Sequence, residues 1–118
     1  MAVANFLWSS RPRCLWWHSP NGDVRNKRAG ARLKQMGVRR GVPDYIFIFP
    51  DNSIGFIELK LGKSRHHGKS YQSPDQKIFE AEYDDLVSGD GRYSVCRSVS
   101  EVREVLGEWG LLRDRQYG

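Results

Sequence analysis

A chain of 118 residues with 39% hydrophobic and 12% aromatic content can bury one modest core and is too apolar for a disordered segment. No apolar run approaches the roughly 18 residues that span a bilayer, so no membrane span is expected. The net charge of +5 is uneven: residues 1–43 carry nine Lys or Arg against one acid, Asp23, while residues 44–118 carry −3. A concentrated basic surface is the electrostatic footprint of a polyanion partner, whereas a solvated face with no partner is the plainer explanation.

Taken in chain order, residues 1–13 show no clear pattern, and Ser9-Ser10-Arg11-Pro12-Arg13 predicts a loop, so an N-terminal arm is expected. The domain proper is expected over 14–110, with a short charged tail over 111–118. The short apolar run before Trp8 lacks a basic leader, which argues against a signal peptide. Cys14 and Cys96 match no metal spacing and no disulfide framework, which fits two reduced core thiols in a cytoplasmic protein.

Cys14 to His18 predicts a strand, ended by the turn chemistry of Ser19-Pro20-Asn21-Gly22-Asp23. A helix is expected from about Val24 to Met36, with Ala29, Leu33 and Met36 as its core stripe, and Gly37 as its stop. Arg25, Arg28 and Arg32 line a neighbouring face of that helix.

Residues 41–60 carry the densest signal. Tyr45 to Phe49 is a continuous β-branched and aromatic run, which predicts a strand buried on both faces. Pro50-Asp51-Asn52-Ser53 predicts a turn. Gly55 to Leu61 then alternates, so Phe56, Glu58 and Lys60 share one face while Ile57 and Leu59 share the other. So short a hairpin brings Lys60 and Glu58 back beside Asp44. Two carboxylates near an ammonium make a site for a hard cation and an activated water. Without such a site, Asp44 is a turn residue, and Glu58 and Lys60 are an exposed strand face.

Leu61 to Gln72 predicts a basic loop containing Lys63, His66 and His67. No second ligand cluster accompanies the histidines, which argues against zinc. Ser73-Pro74-Asp75-Gln76 predicts a capping box opening a helix, with Ile78, Phe79, Tyr83, Leu86 and Val87 as the buried stripe and Glu80, Glu82, Asp84 and Asp85 mostly outward. Arg92 to Arg97 predicts another strand. Ser98 or Ser100 caps a last helix with Val102, Val105, Leu106 and Trp109 inward. The order β-α-β-β-α-β-α predicts an α/β domain, a small mixed sheet flanked by helices.

Pro43-Asp44 followed by Glu58-Leu59-Lys60 resembles the PD-(D/E)XK nuclease motif. Residues 34–44, Lys-Gln-Met-Gly-Val-Arg-Arg-Gly-Val-Pro-Asp, resemble the signature of the VRR-NUC nuclease family. So do His18-Ser19-Pro20-Asn21-Gly22 before them, Ser73-Pro74-Asp75-Gln76 after them, and Arg97-Ser98-Val99 with Trp109-Gly110 near the end. The resemblance covers about residues 16–110 and implies a restriction-endonuclease-like sheet and a metal-dependent phosphodiesterase.

In that family's terms Asp44 and Glu58 would ligate Mg²⁺ or Mn²⁺ with the main-chain carbonyl of Leu59. Lys60 would orient or help deprotonate water, and Gln76 would position Lys60 or water. A capping role for Gln76 would compete with this, since one amide serves both only in part. Many relatives carry an acid on a helix before the first strand, and none is legible here.

Arg25, Arg28, Arg32, Lys34, Arg39, Arg40, His18 and Lys63 are candidates for contacts to DNA phosphates, which position a substrate without reading its sequence. The small stand-alone form resembles junction-resolving enzymes, which act as homodimers, because two symmetric cuts need two sites. The function so implied is a structure-selective endonuclease of branched DNA, in a cytoplasmic setting, viral or bacterial. A non-catalytic DNA-binding module on the same scaffold is the alternative.

Overall fold

The computed structural model describes residues 2–19, 31–32, 34–37, 39–61, 72–87 and 91–113. Its elements are α1 (Ala2–Ser10), β1 (Leu15–His18), β2 (Tyr45–Ile48), β3 (Ile54–Leu59), α2 (Pro74–Leu86), β4 (Arg92–Cys96) and α3 (Val99–Glu108). Ala31, Arg32, Lys34 and Gln35 are also helical, and their helix ends in the turn at Met36 and Gly37. The expected start of that helix, with Arg25 and Arg28, and the basic loop with Lys63 lie outside the described residues, as does the tail beyond Arg113.

The four strands form one sheet in the order β1-β2-β3-β4. β2 pairs antiparallel with both β1 and β3, whereas β3 and β4 run parallel. A parallel pair needs a crossover, and α2 supplies it. The hairpin turn is held as its residue types demand. Phe49 N–H donates to Ser53 O, and the Asp51 carboxylate accepts from the Ser53 N–H and hydroxyl. Asn52 takes the left-handed conformation that Asn tolerates.

Strand alternation divides the core. Tyr45, Phe47, Ile57 and Cys96 face α1 and α3, where Val3, Leu7, Val102 and Leu106 close the main cluster. Ile46, Phe56 and Tyr93 lie on the other face, where the Phe56 ring meets Phe79 and Tyr83 of α2 edge-on. β2 is central in the sheet, yet Ile46 and Ile48 are only half-buried, so its second face is less covered than a continuous apolar run predicts.

Three expectations are corrected. The arm expected over 1–13 is not free where it is described: residues 2–10 are helical, and Leu7 is fully buried in the main core. Four residues from Val3 to Leu7 put both side chains on one helix face, which a window this short hides. Met36 is 69% exposed, because it sits in the closing turn rather than on the helix face. On α2, Ile78 and Leu86 are exposed, and so is Val87, which caps the helix end. The inward positions are instead Gln76, Phe79, Glu80 and Tyr83, at i, i+3, i+4 and i+7. Two of these are polar because the first half of α2 faces a polar cluster, not the core.

The caps match expectation. Ser73 and Gln76 form a complete capping box with Pro74 in the first turn, and Ser98 caps α3. Cys14 and Cys96 are free thiols, the first half-buried and the second buried. Trp16 and Trp109 pack against the core, whereas Trp8 is 70% exposed and Trp17 is also exposed.

Candidate functional site

Asp44 enters the sheet one residue before β2, and Glu58 lies one residue beyond Ile57, the partner of Tyr45. The antiparallel register therefore sets Asp44 and Glu58 side by side, on the face opposite Tyr45 and Ile57. The Asp44 Oδ2 accepts the Leu59 N–H at 2.7 Å. Its main-chain carbonyl accepts the Ser19 N–H at 2.8 Å and the His18 Nδ1–H at 2.9 Å. The backbone and one carboxylate oxygen of Asp44 are thus committed to the scaffold.

Glu58 is 3% exposed, which a charged side chain tolerates only with partners. Its Oε2 accepts from the Gln76 Nε2 at 2.5 Å and lies 3.8 Å from the Lys60 ammonium. Its Oε1 is buried with no hydrogen-bond partner. Burial raises the Glu58 carboxyl to about 7, and the neighbouring Asp44 charge pushes the same way. Lys60 opposes them, and so does the hydrogen bond from Gln76. Lys60 follows β3, is held by its N–H to Cys96 O, and remains partly exposed at the rim.

Gln76 bonds Glu58 rather than Lys60, and it does so while capping α2. Its Oε1 accepts the Ser73 N–H at 2.8 Å while its Nε2 donates to Glu58. The expected conflict between capping and site is absent, because an amide has two ends and each function uses one.

The segment that leads into Asp44 is fastened to the same helix. Gly41, with φ +83°, lies so close to the first turn of α2 that a Cβ there would sit 2.9 Å from Gln76 N. Arg39 pairs with Glu82 at 2.9 Å and stacks over the Phe79 ring. Both contacts hold Asp44 and Gln76 in register. Arg39, a candidate for phosphate contact, therefore also ties its segment to α2. Arg32, Lys34 and Arg40 are exposed. His18 lies at the same sheet end but on the opposite face, against Tyr45.

Three polar residues beside the site have no strong signal in the sequence. Gln72 Nε2 donates to Glu80 Oε1 at 3.0 Å and to Tyr93 Oη at 3.2 Å. The Tyr93 hydroxyl is held well above its ordinary range by burial, and next by the Glu58 charge. Glu80 could have been found, since it lies one helical turn beyond Gln76.

The sequence shows no acid-bearing helix before the first strand; a helix does precede β1, and its residues Ala2–Ser10 contain no acid. Among the described residues, no group of three or more His, Cys, Asp or Glu gathers as a metal cage. The two carboxylates still fit Mg²⁺, which keeps several waters and takes only one or two protein carboxylates. The buried, partnerless Glu58 Oε1 is the observation that favours a cation there. Among the described residues no helix is long and apolar enough to cross a membrane.

No family model, no curated protein and no solved structure matches this chain.

Proposed function

We propose that this chain is a divalent-cation-dependent endonuclease of branched DNA, built as a restriction-endonuclease-like domain of the VRR-NUC type. The observation that carries the proposal is the buried Glu58 Oε1, left without a partner beside Asp44 and Lys60. A buried carboxylate next to a second carboxylate is costly unless something cationic joins them.

Asp44 and Glu58, with the main-chain carbonyl of Leu59, would hold Mg²⁺ or Mn²⁺. Such an ion supplies Lewis-acid polarisation of a phosphate and acidifies water. The protein's own residues do the rest. The Leu59 N–H and the Ser19 N–H hold Asp44 in place. Gln76 holds Glu58 by one oxygen. The Lys60 ammonium, at the rim, orients the attacking water and offsets charge that develops on the phosphate. Arg32, Lys34 and Arg40 offer sequence-independent phosphate contacts, which favours recognition of shape over sequence. A second copy supplies the second site that paired cuts need. Trp8 on α1 and Trp17 on β1, both exposed, support that arrangement.

The test is cleavage of four-way, flap, splayed and linear DNA with Mg²⁺, Mn²⁺ or chelator. Cutting of branched substrates that needs the metal is expected. Inertness toward every substrate with either ion ends the proposal, and equal cutting of linear duplex ends its selectivity.

A further inference from the structure

The capping box of α2 places three groups in one line. The Ser73 N–H donates to Gln76 Oε1, the Gln76 Nε2 donates to Glu58 Oε2, and the Ser73 Oγ accepts the Gln76 N–H. A primary amide is nearly symmetric in shape and asymmetric in chemistry: one end accepts and the other donates. Which end faces Glu58 is therefore decided by what the other end meets. A backbone N–H can only donate, so the Ser73 N–H can be met only by the amide oxygen. The Gln76 NH₂ is then forced toward the carboxylate.

We infer that the Ser73 backbone N–H is a positioning group for the site: it locks the Gln76 amide with its donor end on Glu58 Oε2, leaving Glu58 Oε1 as the oxygen free for a ligand. The inference rests on the proposed cation site for its consequence, and on the hydrogen-bond geometry alone for its cause. The helix start is thus part of the site. An N-cap N–H left unmet would stay orphaned at the helix end, and the same bond answers both demands. If the amide turned over, its oxygen would face the Glu58 carboxylate and repel it. Glu58 would then move, or turn its free oxygen away from Asp44.

Proline offers a clean cut. Ser73 has φ −69° and ψ 164°, a conformation that proline adopts without strain. Ser73→Pro removes the N–H and the Oγ cap, whereas Ser73→Ala removes only the cap and keeps the N–H. The difference between the two variants isolates the lock. Two readouts serve: Mn²⁺ affinity by calorimetry on the full chain, and the ¹⁵N-resolved Gln76 side-chain NH₂ signals without metal.

Mn²⁺ binding is expected to be roughly tenfold or more weaker in Ser73→Pro than in Ser73→Ala, the usual scale for groups that orient a metal ligand. The Gln76 NH₂ signals are expected to leave their carboxylate-bonded position in the proline variant alone. Equal affinity and equal NH₂ signals in the two variants overturn the inference. Should Ser73→Pro fail to fold, a long-range coupling from the Ser73 amide nitrogen to the Gln76 carboxamide carbon decides it in the unaltered protein: present, the lock stands; absent, it falls. An unaltered protein that shows this coupling but binds no Mn²⁺ keeps the lock and removes the cation reading.

Discussion

The Asp44 carboxylate accepts the Leu59 N–H at 2.7 Å, so the residue that opens β2 is clamped to the residue that ends β3. One Asp44 oxygen is spent on this clamp and one Glu58 oxygen on Gln76. Each carboxylate is anchored by one oxygen and keeps the other.

That division predicts how Asp44→Asn behaves. The amide oxygen of Asn can still accept the Leu59 N–H, so the midpoint of thermal unfolding without metal is expected to stay within a few degrees. The charge is gone, and DNA cleavage with Mg²⁺ is expected to fall at least about hundredfold. Parallel melting curves and initial rates check both halves. Activity that survives the substitution removes Asp44 from the site.

The raised carboxyl of Glu58 makes stability depend on pH. Its folded-state value of about 7 exceeds the ordinary 4.5, so the folded protein holds this proton more tightly than the unfolded chain. The contribution is complete below about pH 4.5 and is lost as pH rises through about 7. Its full size is on the order of 3 kcal/mol. Urea midpoints without divalent cation are expected to decline between about pH 4.5 and 7 and to level off above that. Glu58→Gln should remove that part of the decline, and Mn²⁺ should restore stability mainly on the alkaline side, where Glu58 is ionised.

Gly41 and Gly37 both have positive φ, but only Gly41 lies against another element. Gly37→Ala is expected to cost about 1 kcal/mol, the backbone strain alone. Gly41→Ala adds a clash with the α2 backbone that no rotamer relieves, and should cost more, roughly 2–4 kcal/mol. Denaturant titration of the two variants gives the comparison. Loss of Mn²⁺ affinity only in the Gly41 variant is expected, since that clash lies between Asp44 and Gln76.

Leu7 is fully buried among Val3, Phe47 and Leu106 in the main cluster. Leu7→Ala is expected to destabilise by about 2–5 kcal/mol, as for other buried leucines. Trp8→Ala, at a largely exposed position, should cost far less. Equal effects of the two in chemical denaturation would mean that α1 does not belong to the folded core.

DNA affinity should fall with salt, and each lost phosphate contact should lower the slope by roughly 1. Arg40→Ala and Lys34→Ala are expected to weaken binding uniformly and lower the slope, with no effect on the site. Arg39→Ala should also loosen the segment before Asp44, because its guanidinium holds Glu82 and the Phe79 ring. Binding at several salt concentrations separates the two effects from each other. A slope unchanged by all three substitutions removes this surface from DNA binding.

Local chemistry made a large part of the chain legible without coordinates. The turn at Pro50–Ser53, the alternation through Glu58 and the capping signature at Ser73 each depend on neighbours within a few residues. From these followed the hairpin, the meeting of Asp44 with Glu58 and Lys60, and the α/β order. α1 escaped because nine residues with two buried side chains hardly differ from an apolar stretch of loop. Met36, Ile78 and Leu86 were assigned inward because periodicity marks a face but not what covers it.

Residues 41–60 and the box at 73–76 determined by themselves that an acid pair and a lysine would share one strand end, near a helix start. Turns, pleats and caps are short-range, and their geometry is written in adjacent residues. Only the tertiary structure decided how the oxygens are allotted: Asp44 to Leu59, Glu58 to Gln76, and Gln76 to Ser73 as well. Those bonds join groups that are 15, 18 and 3 residues apart: the first closes the open end of the β2–β3 hairpin, and the second exists only because the crossover through α2 places its first turn at the end of β3. The burial that leaves Glu58 Oε1 without a partner arises in the same way, from packing that no local pattern encodes.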